Sequence, residues 1–361
     1  MRTEKVNSAQ LVLARESRGM SQSQLADSVA VQQRYISRYE NGISPLPEGL
    51  LSRIAEVLGY PITFFYQGQR RRSVGLFYRK KTSVPAKSLR RAEANMEIIR
   101  RHLGHLTREV EPRWPYTMPS MRQYGPEEAG RMLRLFWDVP SGPISSMTRL
   151  IEDAGSFVVP FDFRTDKIDA VSVEADTFFI FFVNPKAPAD RLRFSLAHEL
   201  GHLIYRHYLE PDDVGKFDPE KEANAFASAF LMPKDEIRRE FYGEITIARL
   251  KALKERWLVS MAALIMRAHD VKAITQKRKQ QLFMRMSQLG IRRKEPVEIP
   301  REQAKLYRRV LDAFQEELNY SELELCEILH MGSVKEFRTV YYPDRLSHVV
   351  DFPDTAFRSS L

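Results

Sequence analysis

Residues 193–207 read RFSLAHELGHLIYRH. On a helix, His198 and His202 lie one turn apart on the same face. Two imidazoles so placed reach one metal ion at about 2.0–2.1 Å each. Glu199 is turned aside. It cannot share the ligand position, but it reaches a water held there and suits a general base. Leu192, Leu196, Leu203 and Ile204 supply an apolar stripe, and Asp190 is a candidate cap for a helix over about 191–207. Taken alone, the stretch also fits a helix with two core histidines.

A catalytic zinc takes three protein ligands and keeps one open position. In FDPEKEANAFASAFLMP (217–233), Asp218 is a candidate N-cap, Pro219 suits the first helical turn and Pro233 marks the end. Glu222 shares a face with Phe226 and Ala229, where an unpaired carboxylate is costly, and is the expected third ligand. Glu220 competes for that role, although a first-turn acid already has a reason to be there. His207 suits a cation at the helix C-terminus.

Outward from this centre, residues 126–138 and GPISSMTRLIEDAG (142–155) read as helices. SFVVPFDF (156–163) and TFFIFFVN (177–184) read as strands. The second is either a sheet edge open to a peptide by β-addition or a buried core strand. An α+β domain is therefore expected over 125–270.

Toward the N-terminus, SQSQLADSVAVQQRYISRYENG (21–42) has helix-turn-helix proportions. Ser21 caps the first helix, Gly42 stops the second, and Leu25 and Ile36 join them. Gln32, Gln33, Arg34 and Arg38 project outward, and Gln and Arg are the side chains that read adenine and guanine edges. The chain of 361 residues carries a net charge of +9, which favours a polyanionic partner. With 43% hydrophobic residues it is globular, and a single cysteine, Cys326, excludes an internal disulfide. Cys326 lies in an apolar helical pattern and is expected in a core. No apolar leader or transmembrane-length run is present, so a cytoplasmic protein without membrane contact is expected. No internal repeat is evident.

MSQSQLA (20–26) and YISRYENG (35–42) resemble the lambda-repressor-like XRE helix-turn-helix family. DRLRFSLAHELGH (190–202) and EKEANAFASAFLMP (220–233) resemble the ImmA/IrrE metallopeptidases. Together they resemble fused XRE–ImmA/IrrE regulators. The resemblance implies a mainly α chain with an α+β part: a lambda-repressor-like bundle over 1–68, a basic helical linker over 69–124, a zincin-like metallopeptidase domain over 125–270 and a helical C-terminal region over 271–361. It implies Zn²⁺ on His198, His202 and Glu222, with Glu199 as the catalytic acid/base. It also implies DNA reading by residues 32–38, so that Ser37 joins Gln32, Gln33, Arg34 and Arg38. The implied partners are a double-stranded operator, a protein substrate such as a repressor, and a second copy of the chain. Arg193 and Asn224 fall in the matching motifs and read as supporting residues. The alternative is a transcription factor or antitoxin-like regulator whose peptidase-like domain is a sensor or dimerisation scaffold. Arg70, Arg71 and Arg72 and the basic run Arg79, Lys80 and Lys81 are candidate phosphate contacts, and the long helix at 88–111 is the candidate dimer contact.

Overall fold

Caps set the short helices at the N-terminus. The computed structural model describes residues 5–68, 84–110, 114–175, 177–206 and 218–342. Helix α1 (Ser8–Ser17) starts at Asn7, whose side chain accepts the Ala9 N–H. Helix α2 (Gln22–Ser28) starts at Ser21, and Ser21 and Gln24 form a reciprocal capping box. Helix α3 (Gln33–Glu40) is followed by Gly42 at φ 67°, a conformation that glycine adopts without a Cβ penalty. Helix α4 (Glu48–Leu58) ends at Gly59 in the left-handed region. Leu11, Ala14, Leu25, Val29, Ile36, Ile54 and Phe65 close a common core, to which helix α5 (Ala86–Val110) adds Ala94 and Ile98.

Helix α5 is buried throughout residues 92–103. Fully buried Glu97 accepts from Arg100 and Arg101, each at 2.7 Å, and Arg101 also donates to Gln10 at 2.9 Å. These faces are taken up inside the unit. The candidate dimer helix is thus covered within the unit over residues 92–103.

The second unit begins with α6 (Pro126–Phe136), α7 (Met147–Asp153), β1 (Ser156–Pro160), β2 (Ala170–Glu174) and β3 (Phe179–Val183). The sheet order is β1–β3–β2, with β1 parallel and β2 antiparallel to β3. The apolar run at 178–183 is thus the central strand, and the edge reading of it fails. The edge beyond β3 is β2, a short alternating strand that the sequence did not announce. Helix α8 (Ala189–Ile204) carries the two histidines. Pro188 holds its N-cap position and Asp190 is in the first turn, where its carboxylate accepts from Lys254 at 2.5 Å. Asp190 is therefore anchored by an ion pair rather than serving as the cap. Helix α9 (Pro219–Leu231) is capped by Asp218 as expected.

Helix α9 lies between α6 and α8 at glycine contacts. A Cβ on Gly201 would sit 3.1 Å from the Ala223 Cα and 3.0 Å from Phe226 Cδ1. A Cβ on Gly130 would sit 3.0 Å from the Phe230 amide nitrogen. Four further helices complete this unit: α10 (Lys234–Glu240), α11 (Ile247–Trp257), α12 (Met261–Asp270) and α13 (Gln276–Gln288).

The chain then returns to the first unit with α14 (Leu306–Glu316), α15 (Glu322–Ile328) and α16 (Val334–Tyr341). One unit comprises Met1–Pro112, Asp162–Thr165 and Leu306–Leu361, and the other Arg113–Phe161 and Asp166–Lys305. The region 271–361 is accordingly not one domain. Its first part belongs with the histidine helix and its last part with the helix-turn-helix.

Candidate metal centre and nucleic-acid interface

The stripe Leu196, Ala197, Leu200, Leu203 and Ile204 buries one side of α8 in the core of its unit. That packing turns His198 and His202 toward the start of α9. Both imidazoles are buried, and their Nε2 atoms are 3.0 Å apart. The carboxylate beside them is that of Glu220, at 3.6 Å from His198 Nε2 and 3.5 Å from His202 Nε2. Among the described residues, His198, His202 and Glu220 form the group whose donor atoms lie within 4.8 Å of one another.

Glu222 was the carboxylate expected there. Two residues along a helix is about 200° of rotation, so Glu220 and Glu222 project to opposite sides of α9. Glu222 is half-buried and its charge reaches Tyr205. Burial, and after it the Glu222 carboxylate, push the Tyr205 phenol well above its ordinary value. The first-turn position of Glu220 lets it reach the imidazoles.

The donor set fits a metal. His198 Nδ1 lies 3.1 Å from Asn224 Oδ1 on the next helix. An amide oxygen there fixes the Nδ1–H tautomer and presents the Nε2 lone pair to a cation. Two imidazoles and a carboxylate are zinc-type ligands. Glu199, one residue beyond His198, is outside that group. Its Oε2 accepts from Ser172 of β2 twice, from the amide at 2.9 Å and the hydroxyl at 2.8 Å. Sequence reasoning missed Ser172; its signal was the one hydroxyl between two inward valines in AVSVE.

Arg193 is buried away from the histidines, where it pairs with Glu302 and donates to the Ile144 carbonyl. Burial pulls its guanidinium down to about 10, still charged at neutral pH. Its role is to tie α8 to the loop before α7 and the segment after α13. His207, the arginines at 70–72 and the basic run Arg79, Lys80 and Lys81 lie outside the described residues.

On the other unit, Gln32, Gln33, Arg34 and Arg38 are exposed along α3, and Ser37 is partly exposed. Gln33 donates to Gln22 of α2 at 2.7 Å and Arg38 to Ser44 at 3.1 Å. These contacts align polar heads on one outward face while Ile36 anchors the opposite face in the core. Cys326 is buried, and burial pushes its thiol up to about 11, as befits a core residue.

Two family models match the chain in this order. A helix-turn-helix model covers residues 11–65, and the M78 peptidase model, described as an IrrE N-terminal-like domain, covers residues 151–269. The chain is a helix-turn-helix unit fused to an IrrE N-terminal-like domain. The HExxH helix and Glu220 both fall inside the IrrE N-terminal-like match, and α3 falls inside the helix-turn-helix match. No curated protein matches at a significant level. Among the described residues no helix is long and apolar enough to cross a membrane. The chain therefore joins a DNA-binding type of domain to a peptidase-family domain, as a regulator would.

Proposed function

We propose that the protein is a DNA-binding transcriptional regulator whose IrrE N-terminal-like unit is a zinc-dependent endopeptidase acting on a repressor or partner protein. The observation that carries this reading is the convergence of His198, His202 and Glu220, with a fourth group, Glu199, next to His198 in sequence and outside the donor set. A metal sensor needs the three ligands. It does not need the neighbouring carboxylate.

Zinc held by these three side chains supplies Lewis acidity toward a peptide carbonyl. Asn224 holds the His198 ring in its ligand orientation. Glu199 takes a proton from the attacking water onto its carboxylate and passes it to the leaving amine. Ser172 sets the direction of that carboxylate. β2 ends the sheet on the side next to α8, so an extended substrate adds there rather than to β3. The exposed Gln and Arg side chains of α3 read base edges in the major groove. Pairing of two chains on a palindromic operator follows from the one-helix-per-half-site geometry of such domains.

The test is Glu199→Gln. The nearly isosteric amide keeps the metal, the fold and DNA binding. It accepts no proton, so cleavage of proteins encoded by adjacent genes falls by about 10²–10⁴-fold. One observation favours a sensor or scaffold instead: the two Ser172 bonds use Glu199 to fasten α8 to β2. Normal regulation in cells carrying Glu199→Gln would establish that second reading.

A further inference from the structure

Helices α14 and α15 repeat α1 and α2 at a spacing of 300 residues, and α16 repeats α3 at 301. Ser21 and Ser321 both open a helix with a reciprocal capping box, completed by Gln24 and Glu324. Leu11 and Leu311, Leu25 and Leu325, Ala26 and Cys326, and Val29 and Leu329 are all buried. Gly19 and Asn319 share a positive φ, 67° and 56°, and Ala30 and His330 share another, 53° and 52°. The turn is closed by the same hydrogen bonds. Val29 to Leu25, Ala30 to Asp27 and Val31 to Ala26 in the first copy become Leu329 to Leu325, His330 to Glu327 and Met331 to Cys326 in the second. One residue is then inserted, after which Ile36 corresponds to Phe337, both fully buried. Each copy also ties its first helix to the end of its third, Arg15 to Glu40 in one and Gln315 to Tyr342 in the other, the latter one position further along.

The outer surface is not kept. Residues 306–342 carry Arg308, Arg309, Lys335 and Arg338 against seven carboxylates. In a helix-turn-helix the helix before the reading helix crosses the phosphate backbone. Gln22 and Gln24 of α2 are replaced there by Glu322 and Glu324, which repel phosphate. Arg338 is held by Glu322 at 2.8 Å. Glu336, in the place of Tyr35, faces the first copy. It accepts from Arg18 Nη1 at 2.6 Å and Nη2 at 3.2 Å. The same guanidinium donates to the Leu58 carbonyl at 2.7 Å and lies 4.2 Å over the Tyr60 ring. His330 Nδ1 meets Thr63 Oγ1 at 2.9 Å, and Tyr341 meets His102 of α5 at 2.8 Å.

We infer that residues 306–342 are a second helix-turn-helix whose third helix grips the first copy instead of entering a DNA groove. Each chain then presents one reading helix, α3, and the second copy holds its scaffold from behind. The statement about DNA rests on the proposed reading by α3; the grip does not.

Two measurements on the full chain test this. The first is hydrogen exchange over residues 8–58. Arg18→Gln and Glu336→Gln each speed exchange there at least tenfold, the double variant adds little to either, and the swap Arg18→Glu with Glu336→Arg recovers protection. Unchanged exchange in both single variants overturns the grip. The second is fluorescence anisotropy with duplex DNA at fixed salt. Arg34→Ala and Arg38→Ala weaken binding about tenfold, whereas Lys335→Ala alters it less than twofold. An equal loss with Lys335→Ala overturns the non-reading assignment. A chain that binds no duplex at all removes the DNA reading itself, and the exchange measurement then decides the grip alone.

Discussion

Glu199 Oε2 accepts both the amide and the hydroxyl of Ser172, at 2.9 and 2.8 Å. A residue on the edge strand thus fixes the direction of the carboxylate that follows His198 in sequence. Ser172→Ala removes the hydroxyl bond and leaves the amide bond, so cleavage is expected to fall about tenfold, in line with the loss of one hydrogen bond of about 1.5 kcal/mol to a charged group. Metal content stays the same. Steady-state cleavage and metal analysis of one preparation check this, and unaltered turnover would leave Ser172 with a structural part only.

Metal content separates the two acids of α9. The wild-type chain is expected to bind about one divalent ion, as a three-ligand site does. His202→Ala and Glu220→Gln lose it, while Glu222→Gln retains it. Asn224→Ala, which frees the His198 ring, weakens affinity by about 10–100-fold. Loss of metal in Glu222→Gln with retention in Glu220→Gln would reverse the assignment.

Gly201 sets the spacing between α8 and α9. Gly201→Ala pushes a methyl group against Ala223 and Phe226 and is expected to cost about 1–3 kcal/mol. Displacing α9 also moves Glu220, so this variant loses metal affinity together with stability. A denaturant melt followed by a metal titration reads both.

On α3, Arg38→Ala is expected to cost about 1–3 kcal/mol at one base position and little at others. Binding by the wild-type chain weakens steeply with salt, because each neutralised phosphate releases counterion. A panel of duplexes differing at single positions, measured at two salt concentrations, tests both points.

His102 predicts an acid limb for the helix-turn-helix unit. Burial holds its imidazole down to about 3 from an ordinary value of 6.5, beside the Tyr341 hydroxyl. The unfolded chain therefore takes up the proton first. The stabilisation is complete above about pH 6.5 and declines as pH falls toward 3, at about 1.4 kcal/mol per pH unit for one proton. His102→Gln flattens that limb in urea melts, and identical slopes for both proteins would reject it.

Much of this was legible because the motifs are local. Ser21, Leu25 and Ile36 state the helix-turn-helix within one short stretch, and four-residue spacing alone puts His198 and His202 together. What was illegible depends on long-range placement. Whether Glu220 or Glu222 reaches the imidazoles is decided by the rotation of α9, which Gly130 and Gly201 fix from two other helices. The run at 178–183 is equally apolar at a sheet edge or centre, and only pairing with both β1 and β2 settles it. The second helix-turn-helix is not legible in the sequence because it keeps the buried leucines and the left-handed turn but replaces the signature polar residues, Gln with Glu and Gly with Asn.

The first unit is discontinuous, with the IrrE N-terminal-like unit inserted between Pro112 and Leu306 except for the short return at Asp162–Thr165. A ribosome therefore makes α1–α5 early and must finish the whole peptidase-family unit before α14–α16 emerge. Until then Arg18 and His102 lack their partners Glu336 and Tyr341. Any truncation before residue 306 yields a peptidase-family unit beside an unfinished DNA-binding one. Maturation of the DNA-binding unit is thereby coupled to synthesis of the domain it carries.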